Sequence, residues 1–215
     1  EKLQIDTNIN FVNKLCRRAT SLHSFSYKGY EYDEQLGYDV QKTYTIPIGN
    51  LGTNDLNSGD AFDCDVNGDG TYDSDTERFY YVTDLEQDKD YAVLIYYKNM
   101  NDQNYYSSTY YNYMGPDTDY LPTSDEWSNV SLYSPVRKIV NNLGGHGVMN
   151  SLIDRDFNYG DSVARLLTYQ ELVSACGTVT FGKNYDLDNC LYLMENIDNK
   201  YDSSYNSYGY WLETP

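Results

Sequence analysis

Nine consecutive residues, Asp65-Val66-Asn67-Gly68-Asp69-Gly70-Thr71-Tyr72-Asp73, set an oxygen-bearing side chain at every second position around two glycines. Calcium takes a shell of about six to eight hard oxygen atoms, and loops of the EF-hand type supply them from alternate positions, with a glycine at the sharp turn. In that scheme the first, third and fifth positions give side chains, the sixth is the glycine and the seventh gives its carbonyl. Asp65, Asn67, Asp69, Gly70 and Thr71 fill those places in order, and Asp73 stands ninth. The twelfth place, where a bidentate glutamate belongs, holds Thr76, flanked by Asp75 and Glu77. The expected ion is Ca2+, and the candidate ligands are Asp65, Asn67, Asp69, Thr71 and Asp73, with Asp75 or Glu77 closing the shell. The expected role of the ion is structural. The competing reading is an acidic turn that solvates a hairpin.

A second cluster suits recognition rather than chemistry. The tract Asn104-Tyr105-Tyr106-Ser107-Ser108-Thr109-Tyr110-Tyr111-Asn112-Tyr113 has no charge and no helical period. Tyrosine gives broad contact area with a polar tip at small entropic cost, which is the composition of binding loops. Tyr105, Tyr106, Tyr110, Tyr111 and Tyr113 are therefore candidate ligand-binding residues. The alternative is that they pack on a sheet. Catalytic signals are absent: there is no G-x-S-x-G, H-E-x-x-H or phosphate-binding loop. His146, inside Gly144-Gly145-His146-Gly147, reads as a loop histidine. No enzymatic activity is expected, and the least favoured alternative is a hydrolase whose two carboxylates meet only in the fold.

Composition sets the surroundings. With 33 acidic against 15 basic residues, the chain of 215 residues carries a net charge of −18, which argues against nucleic acid or an anionic membrane as partner. Its 26 tyrosines and several apolar runs supply too much buriable surface for disorder. No apolar stretch approaches the roughly 18 residues that span a bilayer, and Glu1-Lys2-Leu3-Gln4 does not open a signal peptide. Cys16, Cys64, Cys176 and Cys190 allow several pairings that sequence cannot choose between. Without a C-x-x-C pair, zinc is the weaker reading. Acidity and calcium point to an oxidising exterior, where Cys176 with Cys190 forms a local loop and Cys16 with Cys64 a long-range staple. Four reduced, buried thiols are the alternative.

These groups need elements to hold them. Apolar positions Ile9, Phe11, Val12, Leu15 and Ala19 predict an amphipathic helix over residues 8–22, with Cys16 near the core. Residues 27–58 read as loop, apart from a strand at Thr43-Tyr44-Thr45-Ile46-Pro47-Ile48. Arg78-Phe79-Tyr80-Tyr81-Val82 and Tyr91-Ala92-Val93-Leu94-Ile95-Tyr96-Tyr97 predict a central hairpin whose entry the acidic loop fixes. Thr123 with Glu126 and Thr168 with Glu171 each have the spacing of a capping box and predict helix starts. Val136 to Val140 is expected to begin a helical run that Gly144-Gly145-His146-Gly147 interrupts.

The segment Ala164-Arg165-Leu166-Leu167-Thr168-Tyr169-Gln170-Glu171-Leu172, followed near the end by Gly209-Tyr210-Trp211-Leu212-Glu213-Thr214-Pro215, resembles the R-L-P-T-x-x-E-W … Y-W-S-S-T framework of bacterial C-type-lectin-like modules. Those modules are related to the formylglycine-generating-enzyme fold and to the major paralogous domain of Fibrobacter surface proteins. Leu167 here replaces the proline and Leu172 the tryptophan. The resemblance implies a helix opening at the Arg-Leu-x-Thr segment, a core strand at the Tyr-Trp segment, and a further strand past Pro215 or supplied by another segment. The acidic loop itself resembles those of dockerins and calcium-dependent adhesins, since no helical pattern flanks it. Cys16-Arg17-Arg18-Ala19-Thr20-Ser21-Leu22-His23, Gly59-Asp60-Ala61-Phe62-Asp63-Cys64-Asp65-Val66-Asn67-Gly68-Asp69-Gly70, Leu121-Pro122-Thr123 through Trp127-Ser128-Asn129-Val130, and Leu191-Tyr192-Leu193-Met194-Glu195-Asn196 are similar to tyrosine-rich surface modules of gut Firmicutes.

The expected fold class is α+β: a mainly antiparallel twisted sheet with two or three helices and long loops, C-type-lectin-like in the C-terminal half. The expected organisation is one extracellular domain over residues 1–215, divisible into 1–115 and 116–215. The expected function is an extracellular or cell-surface binding and adhesion module of a bacterium, calcium-stabilised, with a glycan or protein ligand. The runner-up is a pilin-like structural subunit, with self-assembly and no membrane insertion of this segment.

Overall fold

The computed structural model describes residues 15–53, 55–83, 92–100, 121–130, 139–142, 144–145, 159–177, 190–194, 209–210 and 212–213. Its main body is a five-stranded sheet in the order β1-β4-β5-β6-β7, formed by β1 (Cys16–Arg18), β4 (Ala61–Cys64), β5 (Arg78–Thr83), β6 (Val93–Asn99) and β7 (Ile139–Asn142). All neighbours are antiparallel except β6 and β7. Every residue of β5 is buried. The reason lies in its place: the middle strand is covered on both faces, so both parities of Phe79-Tyr80-Tyr81-Val82 must be apolar. Phe79 and Tyr81 enter one core with Phe62, Leu94, Tyr96, Trp127 and Val130, while Tyr80 and Val82 enter the other with Ile48, Ile95, Leu167 and Tyr192. On the first face Trp127 meets Phe79 and Tyr96 edge-on, each with ring centroids 5.5 Å apart, the favourable geometry for aromatic quadrupoles.

The expected central hairpin is present: Phe79 pairs with Tyr96, Tyr80 with Ile95 and Tyr81 with Leu94. Both expected disulfides are also formed. Cys16 joins Cys64 directly across the β1/β4 ladder, and Cys176 joins Cys190. The described cysteines include no free thiol.

Three sequence expectations are corrected. Residues 16–18 are strand, not helix, because the ladder to β4 and the cross-strand disulfide outweigh an apolar spacing that fits either structure. Residues 8–14 lie outside the described residues. Thr123 and Glu126 do interact as a box, Thr123 N–H donating to Glu126 Oε2 at 3.0 Å, but they close a single turn that ends in Trp127 and Val130. Residues 139–142, placed in a helical run by sequence, pair with β6 as strand β7. Residues 136–138 lie outside the described residues, as do His146 and the tyrosine tract with Tyr105, Tyr106, Tyr110, Tyr111 and Tyr113.

A fourth difference is the largest. The strand expected at 43–48 is present as part of a longer one, but residues 27–33 and 38–42, expected as loop, also pair: residues 24–47 form a ribbon of two ten-residue strands, β2 (Ser24–Asp33) and β3 (Tyr38–Pro47), paired from Ser24 with Pro47 to Asp33 with Tyr38. Its turn is closed by the Asp33 carboxylate, which accepts from Gln35 N–H and Leu36 N–H, and by Gly37 at φ 72°. Phe25, Tyr27 and Tyr44 stack along one face. Tyr44 lies so close over Gly29 that a Cβ there would sit 2.9 Å from its ring, so the glycine makes room for the stack.

Helix α1 (Tyr169–Cys176) starts where sequence places it. Thr168 is the N-cap, its hydroxyl accepting from Glu171 N–H, while Glu171 accepts from Thr168 N–H at 2.9 Å. Gly177 at φ 76° ends it. A short helix α2 (Leu191–Met194) follows Cys190. Two small pairings complete the described elements: β8 (Gly144–Gly145) with β10 (Gly209–Tyr210), antiparallel, and β9 (Leu167–Thr168) with β11 (Leu212–Glu213), parallel. The class is thus α+β and mostly antiparallel. No helix among the described residues is long and apolar enough to cross a membrane.

The α1 cap makes a pH-dependent contribution. Burial alone raises the Glu171 pKa, but hydrogen bonds from Arg165, its charge and the Thr168 donors outweigh burial and hold it below the ordinary value. A carboxylate depressed on folding stabilises above its unfolded pKa, and that share is lost as pH falls through the folded pKa. Glu171→Gln is therefore expected to flatten the acid limb of a stability-against-pH curve, and Thr168→Ala to cost about 1 kcal/mol near neutral pH, both read by urea unfolding.

Candidate metal centre

The acidic loop connects β4 to β5, so the β1/β4 and β4/β5 ladders hold its ends. Cys64 N–H donates to Glu77 carbonyl at 2.9 Å, and Asp65 N–H to Leu15 carbonyl at 2.7 Å. Within the loop the side chains of Asp65, Asn67, Asp69 and Asp73 fold back on the chain. Asp65 accepts from Gly68 N–H and Gly70 N–H at 2.9 and 3.1 Å. Asn67 Oδ1 accepts from Asp69 N–H, Asp69 Oδ1 from Thr71 N–H, and Asp73 Oδ1 from Asp75 N–H. These first-to-sixth, third-to-fifth and fifth-to-seventh links coil the chain with its oxygen-bearing residues in sequence around the turn. Gly68 and Gly70 sit at φ 79° and 83°, where side chains are strained. Gly68 also faces Ser128 so closely that a Cβ would come within 2.8 Å of its Oγ.

Asp75 and Glu77, level as sequence candidates, are separated by the fold. Asp75 is exposed, whereas Glu77 is only 2 % exposed and turns into the loop. Its carboxylate accepts from Val66 N–H and Asp73 N–H, both at 3.1 Å. Desolvation raises the Glu77 pKa, and the backbone donors that lower it do not make up the difference. Among the described residues no lysine or arginine forms an ion pair with it. Desolvation that disfavours a buried carboxylate's charge is a cost that a bound cation would relieve. Asp69, by contrast, is exposed and held below the ordinary carboxylate value, first by the Thr71 hydroxyl and then by Thr71 N–H.

The loop is braced by residues that its own sequence does not reveal. Ser128 Oγ donates to Asn67 carbonyl at 2.6 Å, Asn129 Nδ2 to Asp65 carbonyl at 2.9 Å, and Asn129 N–H to Val66 carbonyl. At the other end Tyr96 donates to Thr76 carbonyl at 2.8 Å, Tyr97 to Asp75 carbonyl, and His23 Nε2 lies 2.7 Å from Ser74 carbonyl. Arg17 covers the outer flank, its guanidinium 3.8 Å from the centre of the Tyr72 ring. The entry is thus pinned by the Trp127 turn and the exit by β6. The sequence carries no sign of this bracing, because the partners lie 20 to 64 residues away and act through side chains on backbone.

Among the described residues no three His, Cys, Asp or Glu side chains form a ready-made metal cluster. The donors of this loop are mixed instead: carboxylates at Asp65, Asp69, Asp73 and Glu77, the amide of Asn67 and the oxygens of Thr71. Each is a hard oxygen donor, and each hydrogen-bonded carboxylate retains lone pairs for a cation. That chemistry fits calcium and suits neither zinc nor copper, which favour nitrogen and sulfur.

No family model matches the chain, and no match is found among curated proteins or solved structures.

Proposed function

We propose that this chain is an extracellular binding and adhesion module stiffened by calcium at the loop from Asp65 to Glu77. The observation that carries the reading is Glu77: a buried carboxylate at the loop's closing corner, with its pKa raised by desolvation and its oxygens accepting from Val66 N–H and Asp73 N–H of the same loop. Asp65, Asn67, Asp69, Thr71 and Glu77 would hold the ion, with Asp73 at the margin. Bound there, calcium would supply charge compensation and cross-link the end of β4 to the start of β5. The chain's own part is to hold those oxygens in order and to keep Glu77 dry.

Two disulfides accord with an oxidising exterior. The ligand side of the proposal rests on tyrosine: Tyr27, Tyr30, Tyr32 and Tyr38 of the ribbon are exposed, as suits glycan or protein contact. Kinship with C-type-lectin-like surface modules belongs to the same proposal, supported by the helix that opens at Thr168 and by the pairing of residues 212–213 with β9.

Isothermal titration of the chelator-treated protein tests the reading. Calcium is expected to bind at one site with a dissociation constant of roughly 10⁻⁴ to 10⁻³ M, the range of extracellular modules, with magnesium much weaker. Glu77→Gln should weaken binding strongly, and Asp75→Asn should leave it nearly unchanged. Equal losses in the two variants, or no calcium heat in the parent, would remove Glu77 from the site.

A further inference from the structure

We propose that the β2–β3 ribbon is a self-association arm, whose partner is the same ribbon of a second copy of this chain lying antiparallel to it. The proposal is independent of calcium. Ten residues at about 3.3 Å each make the ribbon roughly 33 Å long, and only its base touches the body: Phe25 packs against the second core, while no residue from 26 to 45 is buried. A lone two-stranded hairpin is marginally stable in water, and three or more strands are needed for independence. Among the described residues β2 and β3 pair with nothing but each other, so both outer edges keep free backbone donors and acceptors. Such edges are templates for another strand unless charge, proline or a covering element blocks them.

Exposed apolar surface is concentrated on the same element. Of the six large apolar side chains exposed among the described residues, Tyr27, Tyr30, Tyr32, Leu36 and Tyr38 belong to the ribbon and its turn, and only Leu51 lies elsewhere.

Charge identifies the partner. The ribbon's two lysines, Lys28 and Lys42, sit at adjacent levels midway along it, while Asp33, Glu34 and Asp39 lie at the tip, with Glu31 between. Glu31 is already engaged by Lys42 at 2.7 Å and by the Tyr44 hydroxyl at 3.1 Å, which leaves Lys28 and the tip carboxylates without ion pairs among the described residues. A ribbon with its positive charge midway and its negative charge at one end is complementary to its own reverse. In an antiparallel pair offset so that only the outer halves of the two ribbons overlap, each Lys28 lies opposite the other copy's tip, and the overlapped hairpins form a four-stranded sheet. A parallel pair would set tip against tip. A seam of this length buries less than the roughly 800 Å² per partner of a standard interface, so the dimer is weak and forms at high concentration.

Sedimentation velocity over a wide protein concentration range tests this with the whole chain. The parent is expected to pass from monomer to dimer. Lys28→Glu alone, and Glu34→Lys with Asp39→Lys alone, should each weaken the dimer about tenfold, because every exchange counts twice across the two-fold axis. Mixing the two variants should restore a heterodimer, since the carboxylate introduced by Lys28→Glu then meets the lysine tip of the other copy, whose own Lys28 meets an acidic tip. All these positions are exposed, and circular dichroism of each variant verifies its fold. A parent that stays monomeric throughout overturns the proposal and leaves the arm to a different partner. A dimer indifferent to both exchanges overturns the ribbon as its seam, as does failure of the mixture to restore pairing.

Discussion

Replacing Arg78 with methionine is expected to cost roughly 3–5 kcal/mol of folding stability, the usual loss when one member of a buried ion pair is removed. Arg78 is fully buried in the middle strand of the sheet, and its Nε donates to Asp63 Oδ1 at 2.6 Å, directly across the β4/β5 ladder. Burial works against the guanidinium charge, but the hydrogen bond and charge of Asp63 outweigh it and hold the Arg78 pKa above its ordinary value. The single substitution leaves the Asp63 carboxylate, itself 12 % exposed, without its counter-charge. Domains of this size are commonly stable by about 5–15 kcal/mol, so the loss is a large share of the whole. Asp63→Leu with Arg78→Met should be far milder than either change alone, because no charge is then stranded. Urea midpoints of the two single variants and the double variant measure the difference. Additive losses would mean that the pair is not coupled.

The Cys16–Cys64 disulfide carries the second large effect. It spans 48 residues, and the chain-entropy model gives about 4 kcal/mol for a loop of that length, against about 3 kcal/mol for the 14-residue span of Cys176–Cys190. Cys16→Ala with Cys64→Ala should therefore lower stability more than Cys176→Ala with Cys190→Ala. The first bridge also fastens β1 to β4 beside Asp65, where the acidic loop begins. Its removal is expected to weaken calcium binding as well as folding, whereas loss of the second bridge leaves calcium binding unchanged. Thermal unfolding and calcium titration of both double variants check the order. If the two lose equal stability, β1 is not held by its bridge.

Legibility in the sequence follows the range of the forces involved. Local rules were readable: the alternating oxygens of 65–73 coil as their spacing requires, and the Thr168–Glu171 box opens a helix. The run Arg78-Phe79-Tyr80-Tyr81-Val82 reads as a strand of the central hairpin, while its burial on both faces emerges only in the fold. Where a contact across the fold decides, the sequence misleads. Leu15 and Ala19 fit a helical period, yet Cys16 is taken by Cys64 across a ladder. Thr123 and Glu126 form their box, but the chain then turns so that Trp127 enters the core while Ser128 and Asn129 hold the loop carbonyls, and residues 121–130 contain no helix. The ribbon is the hardest case. Its two faces carry no consistent apolar period, and it is held by cross-strand pairs such as Tyr27 with Tyr44 and Ser26 with Thr45, which exist only once the register is set. For Asp75 and Glu77, two residues apart, burial separates roles that chemistry alone leaves equal.

The thermal unfolding midpoint of the purified chain in calcium, in magnesium and in excess chelator tests the proposed calcium site most directly. At a calcium concentration about 100 times the dissociation constant the ion adds about 2.7 kcal/mol, which for a chain of this length is a rise of roughly 5–10 °C. The account predicts that rise with calcium, little with magnesium, and its disappearance in Glu77→Gln. The same midpoint in calcium and in chelator would contradict it, and the loop from Asp65 to Asp73 would then be an acidic turn held by its own hydrogen bonds.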